Sequence, residues 1–161
     1  YFYNLLDSPT NDNWDDQAGL PANPGTGETE IYYEPENPVH LRGFTIVSGR
    51  KVVILSQANV IVEGNTIVNP GGFLAVISSA QINIDATVNK VQGMYVADGH
   101  ISTGSAGKEL DTVLFEGQGI FYSLSIVLAR SPARSVNKTT PAELFIFRPD
   151  LVLNAPRELW V

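Results

Sequence analysis

The densest group of oxygen ligands in the chain is the loop NDNWDDQ at residues 11–17, with Asn11, Asp12, Asn13, Asp15 and Asp16. Oxygens crowded along one loop are what a calcium ion takes as ligands. The spacing departs from an EF-hand: no glycine stands at the sixth position and no glutamate at the twelfth. Asn and Asp also make turns and caps without any metal. Asp12, Asp15 and Asp16 are therefore weak calcium candidates, and the loop reads first as a series of turns. Asp98 and His100, two apart in VADGH, are a second group, because a carboxylate and an imidazole are the parts of an acid–base pair. STGSAG at 102–107 is not a G-x-S-x-G nucleophile motif and reads as a flexible loop. GTGETE at 25–30 lacks the lysine and preceding strand of a phosphate loop. NKT at 137–139 is formally a glycosylation sequon. Trp14, Tyr32, Tyr33 and Trp160 have the chemistry to stack on sugars, although such side chains serve equally as apolar anchors. No cofactor motif is present, and none is expected to bind.

Composition narrows the function classes. The chain has no cysteine, which excludes structural disulfides, thiolate-bound zinc and thiol catalysis. Residues 1–41 carry eight acids and neither Lys nor Arg, while the remainder is close to neutral. An acidic segment with no basic stripe elsewhere argues against nucleic-acid binding. No apolar run reaches 18 residues, so no membrane insertion by a helix is expected. The chain opens on Tyr1 rather than Met and reads as a mature or excised fragment, with an extracellular or cell-surface setting suggested by its cysteine-free composition.

The elements that must position these groups read as β throughout. Residues 1–30 are dense in Pro, Gly, Asn and Asp and read as an irregular acidic arm. From Ile31 onward Val, Ile, Phe, Tyr and Thr dominate, and no segment to Leu128 shows a 3.6-residue period. The stretches VVILSQANVIV, LAVISSAQINI, YVADGHIS and LFEGQGIFY align as copies of one pattern. One column reads Leu55, Ile77, Val96 and Phe115; another, five residues on in every copy, reads Val60, Ile82, Ile101 and Ile120. The copies are 22, 19 and 19 residues apart, and a small column (Ala58, Ala80, Gly99) lies between the two apolar ones.

A repeat near 20 residues with two short strands and a bend predicts the coil of a β-solenoid, whose strands stack in parallel ~4.8 Å apart. The expectation is an all-β, short right-handed parallel β-helix of about four coils, with both columns buried and pointing inward. A β-sandwich or jelly roll is the alternative, since Val/Ile-rich strands recur there too. Gly64, NPGG at 69–72, GSAG at 104–107 and EGQG at 116–119 are placed where loops leave the coil. The predicted layout is an N-terminal arm over 1–30, coils over 31–130 and a strand-and-cap segment over 131–161, with Leu144–Phe147 as the strand and Leu151–Leu153 as a second candidate.

On this repeat Asn59, Gln81 and Gly119 share the His100 column, and Gln57, Ser79 and Gly117 that of Asp98. No second carboxylate stands at a glycosidase spacing, so His100 reads as a surface residue of a coil and no catalytic residue is assigned.

GGFLAVISSAQINIDATVNKVQGMYVADGHISTG, followed by PAELFIFRPDLVLNAPRELW, resembles the C-terminal β-solenoid modules of large, mostly uncharacterised surface proteins of uncultivated, candidate-phyla type bacteria. The pattern is a G-[IM]-Y-[IV]-A-[DN]-G coil (Gly93–Gly99), a Gly/Ser loop (Gly104–Gly107) and a closing PAE-apolar-RPD-apolar-N-x-P segment (Pro141–Pro156). The resemblance covers roughly residues 50–160 and implies an exported, non-enzymatic structural or adhesive module. A carbohydrate-binding module with polysaccharide as partner is the alternative, and a fragment of a polysaccharide-active β-helix enzyme the third. The acidic first arm and the more basic last segment suggest head-to-tail self-association into a homo-oligomer or filament, with Phe145, Phe147 and Trp160 as contact residues.

Overall fold

The structure, a computed structural model, describes residues 11–12 (backbone only), 20, 29–104, 114–130 and 141–159. A two-residue strand, β1 (Asn11–Asp12), leads in. The first turn is β2 (Thr29–Glu34), β3 (Val39–Leu41) and β4 (Phe44–Ile46); the second is β5 (Lys51–Ser56), β6 (Val60–Val62) and β7 (Thr66–Val68). The third begins with β8 (Phe73–Ser78) and β9 (Ile82–Ile84). Two long bent strands follow, β10 (Lys90–Ser102) and β11 (Phe115–Val127), then β12 (Glu143–Ile146), a short helix α1 (Pro149–Asn154) and a 3-10 turn (Arg157–Leu159).

Every pairing between these strands is parallel. Parallel neighbours require a crossover, and here each crossover is one turn of the coil, so the fold is an all-β solenoid of about four turns. It has three walls. Wall one stacks β2, β5, β8 and the middle of β10 on that of β11, so that Ile31, Val53, Ala75, Met94 and Ile120 are five successive rungs. Wall two stacks β3, β6, β9 and the ends of β10 and β11. Wall three stacks β4, β7, the starts of β10 and β11, and β12.

The corners explain the small residues. Between walls one and two the Ser56 and Ser78 hydroxyls both donate to the Ala58 carbonyl, at 3.0 and 2.8 Å. At the next level Gly99 N–H donates to the Ala80 carbonyl at 2.7 Å, and a Cβ on Gly99 would lie 2.6 Å from that oxygen. The small column of the sequence is this corner. Between walls three and one, Gly119 has φ +151° and its added Cβ would meet the Gly93 carbonyl oxygen at 1.8 Å. No other residue fits there, and the glycine lets β11 continue round the bend as one strand.

The interior holds Val39, Leu41, Val60, Ile82 and Ile101 from wall two and Val52, Ile54, Leu74 and Val76 from wall one, all fully buried. The column Val60–Ile82–Ile101 is thus inward and in register. The column Leu55–Ile77–Val96 is also in register and buried, but it faces outward. Its burial comes from outside: Ala155 and Leu159 of the closing segment pack on the cluster of Ile31, Val53, Leu55, Ala75 and Ile77. Wall one is therefore apolar on both faces, which is why its strands lack alternation.

The last copy of the repeat is shifted from its sequence alignment. Val96 pairs with Tyr122 rather than Phe115, and Ile101 with Ile126 rather than Ile120. Steps between rungs at the Leu55 column are 22, 19 and then 26 residues, because the excursion over 103–114 is longer than earlier ones. Phe115 is buried at the start of β11 on wall three, opposite Glu143, and Ile120 stands opposite Met94 on the outer face of wall one. EGQG at 116–119 is strand, not loop.

Leu151–Leu153 is helical rather than a strand. Pro149 at the first helical position and Asp150 in the first turn favour helix initiation, and burial of Leu151 fixes the helix to the coil.

Candidate functional site

Charged groups inside a solenoid have to be tied. Glu30 lies in register with the inward Val52 and Leu74, and its carboxylate takes both arms of Arg50 at 2.8 Å each. Tyr32 donates its hydroxyl to the same carboxylate at 3.0 Å. Burial, reinforced by that carboxylate, pushes the Tyr32 phenol up to about 12. A bidentate pair of this kind leaves little lone-pair capacity on Glu30 for proton transfer. It seals the first rung, where Leu20 also packs against the interior.

A second polar chain threads the corner between walls three and one. The hydroxyls of Thr66 and Tyr95 meet at 2.5 Å, and Gln92 N–H donates to Thr66 Oγ1 at 3.3 Å. The Gln92 side chain accepts from Val68 N–H at 2.8 Å and donates to Gln118 Oε1, and the Gln118 Nε2 donates in turn to Glu116. Lys90 completes the chain at 2.9 Å from Glu116 and holds that carboxyl below its ordinary value. Tyr95 is fully buried, and burial raises its phenol far above the ordinary value. Every member has a partner, which suits a structural network.

The candidate acid–base pair is not assembled. Asp98 is exposed in the irregularity between Ala97 and His100, and His100 pairs across the strands with Ser125. Gly117 and Gly119, which the sequence alignment put in the Asp98 and His100 columns, pair with Val91 and Gly93 instead. Among the described residues no three His, Asp or Glu side chains come together as a metal site. Asp12 is described only as backbone paired with Tyr33; Asp15, Asp16, Trp14 and Trp160 lie outside the described residues.

The most distinctive surface is the last rung. Beneath it the buried Tyr95 of β10 stacks with Phe121 at 5.3 Å, Phe121 meets Phe145 edge-on at 5.1 Å, and Phe145 meets the buried Phe115 at 5.6 Å. Arg130 lies 4.7 Å above Phe115, donates to the carbonyls of Thr103 and Asp85, and its own N–H donates to Glu143. Past this aromatic stack the inward column ends in the open: Ile126, in register with fully buried Ile101, is 42% exposed, and Leu124, at the irregularity before it, is 88% exposed. Phe145 and Phe147, named from sequence as contact residues, both stand exposed here. The prominence of Leu124 and Ile126 was not anticipated; the uncharged run SLSIVLA, rich in Leu, Ile and Val, was its signal.

A small apolar pocket of about 130 Å³ lies between wall one and the closing segment, lined by Phe73, Met94, Ile120, Leu151 and Leu159 among others. It has almost no polar lining and carries no group for chemistry. Compared with known proteins, the chain matches no family model, no curated protein sequence and no solved structure.

Proposed function

We propose that the chain is a non-enzymatic structural module of a secreted or cell-surface bacterial protein, a short stiff segment that carries or joins other parts. The observation behind this reading is the unbroken parallel ladder of wall one, five rungs in register and apolar on both faces. Such a wall resists bending, since each rung is tied to its neighbours by backbone bonds and by packing on two sides. The charged groups nearest the interior are committed to one another, as in Arg50–Glu30 and Lys90–Glu116. The resemblance of residues 50–160 to bacterial surface modules supplies the exported setting. Incubation of the purified chain with neutral and acidic polysaccharides tests the reading. No turnover is expected, and turnover abolished by Asp98→Ala or His100→Ala would overturn it.

A further inference from the structure

The two ends of the solenoid are finished differently. At the first rung an ion pair closes the interior, and the first turn carries Glu30, Glu34, Glu36 and Arg42. At the last rung residues 119–127 of β11 pair with β10 on one side, and among the described residues no strand lies on the other. Nine residues of edge backbone thus face outward beside apolar side chains. Residues 117–129 contain no charged residue and no proline, so two of the devices that blunt an edge strand, charge and proline, are missing from it. Among the described residues, the large apolar side chains that stand exposed fall between Leu114 and Phe147, save Val47 and Leu153.

We propose that this end binds a second copy of the chain, last rung to last rung, through a two-fold axis that runs β11 against its counterpart in antiparallel pairing. Two features select this occupant. The strip is uncharged, so like faces like without repulsion, and a charged partner would gain nothing from it. The first rung offers a poorer mate, because its charged groups would be desolvated against an apolar surface. A two-fold contact is self-complementary and closes at two copies, leaving the unlike first rungs at the outer ends. Antiparallel pairing also satisfies the edge at a slightly better energy per residue than another parallel rung. The inference rests on the fold and the last rung alone; it survives if the non-enzymatic reading fails.

The absence of native cysteine makes the test direct. Single cysteines placed in turn at Tyr122, Leu124 and Ile126 should give covalent dimers under mild oxidation, strongest at the position nearest the axis. Thr45→Cys, on the exposed face of the first-turn edge strand β4, should give none. Sedimentation velocity of the unmodified chain should show a mass twice that of the monomer, and Leu124→Lys should halve it. Leu124 is almost wholly exposed, so its replacement leaves folding intact, as circular dichroism would verify. A unmodified chain that sediments as a monomer overturns the proposal. So does an open-ended series of species, or cross-linking that appears only when the Thr45→Cys and Leu124→Cys chains are mixed, the signature of head-to-tail contact.

Discussion

Arg50 and Glu30 show how a single pair can close one end of a core. Their side chains are 7% and 12% exposed, so each would be left as a stranded buried charge without the other. Arg50→Met alone is expected to destabilise by about 3–5 kcal/mol, whereas Arg50→Met with Glu30→Leu should recover most of the loss; urea unfolding of the three chains checks this. Ile82 is the simpler case. Fully buried in the middle of the inward column, its replacement by alanine should cost about 2–5 kcal/mol by the same measurement. The buried tyrosines set the alkaline limit. Burial pushes the Tyr32 phenol up to about 12, and full burial raises that of Tyr95 too, against 10.0 for an ordinary phenol. A raised pKa favours the folded state while the phenol is protonated. The contribution is therefore complete below pH 10 and is lost as pH rises beyond it. Absorbance titration should show these two rings ionising late, with the loss of folded circular dichroism.

At the scale of elements, strand identity was easier to read than strand orientation. In β5 the run Val52–Leu55 is buried at every position. A strand with both faces covered has no alternation, so the side chains that point inward cannot be told from those that point out. Leu55, Ile77 and Val96 were legible as a buried column for this reason, and their outward direction was not. In β11 two registers offer apolar pairs: Phe115 with Ile120, and Tyr122 with Ile126. The true one depends on the length of the preceding excursion, which apolar pattern does not record. The closing helix was missed since RPDLVLN carries enough Leu and Val to pass for a strand, although Pro149 and Asp150 carry its start signal. That helix packs against β8 and buries Leu151 with the main apolar cluster, and Leu151→Ala should destabilise by about 2–5 kcal/mol, read from the shift in the urea midpoint. Leu153→Ala, on the same helix but 85% exposed, should leave the midpoint within ~0.5 kcal/mol.

For the whole molecule, the covering of wall one on both sides sets the order in which its parts open. Amide protons of β5 and β8 are bonded between rungs above and below, and lie under side chains that water does not reach from either face. They should exchange with deuterium only when the entire chain opens, and their protection should equal the global unfolding free energy. Among the described residues the 119–127 stretch has a strand on one side alone, and in a single copy it should exchange by local fraying, orders of magnitude sooner. A gradient of this form, steep at one terminus and flat through the centre, makes the solenoid a recorder of its own occupancy. Anything that adds a strand to the last rung slows exchange there as its concentration rises, while the amides of β5 and β8 keep their protection relative to global unfolding.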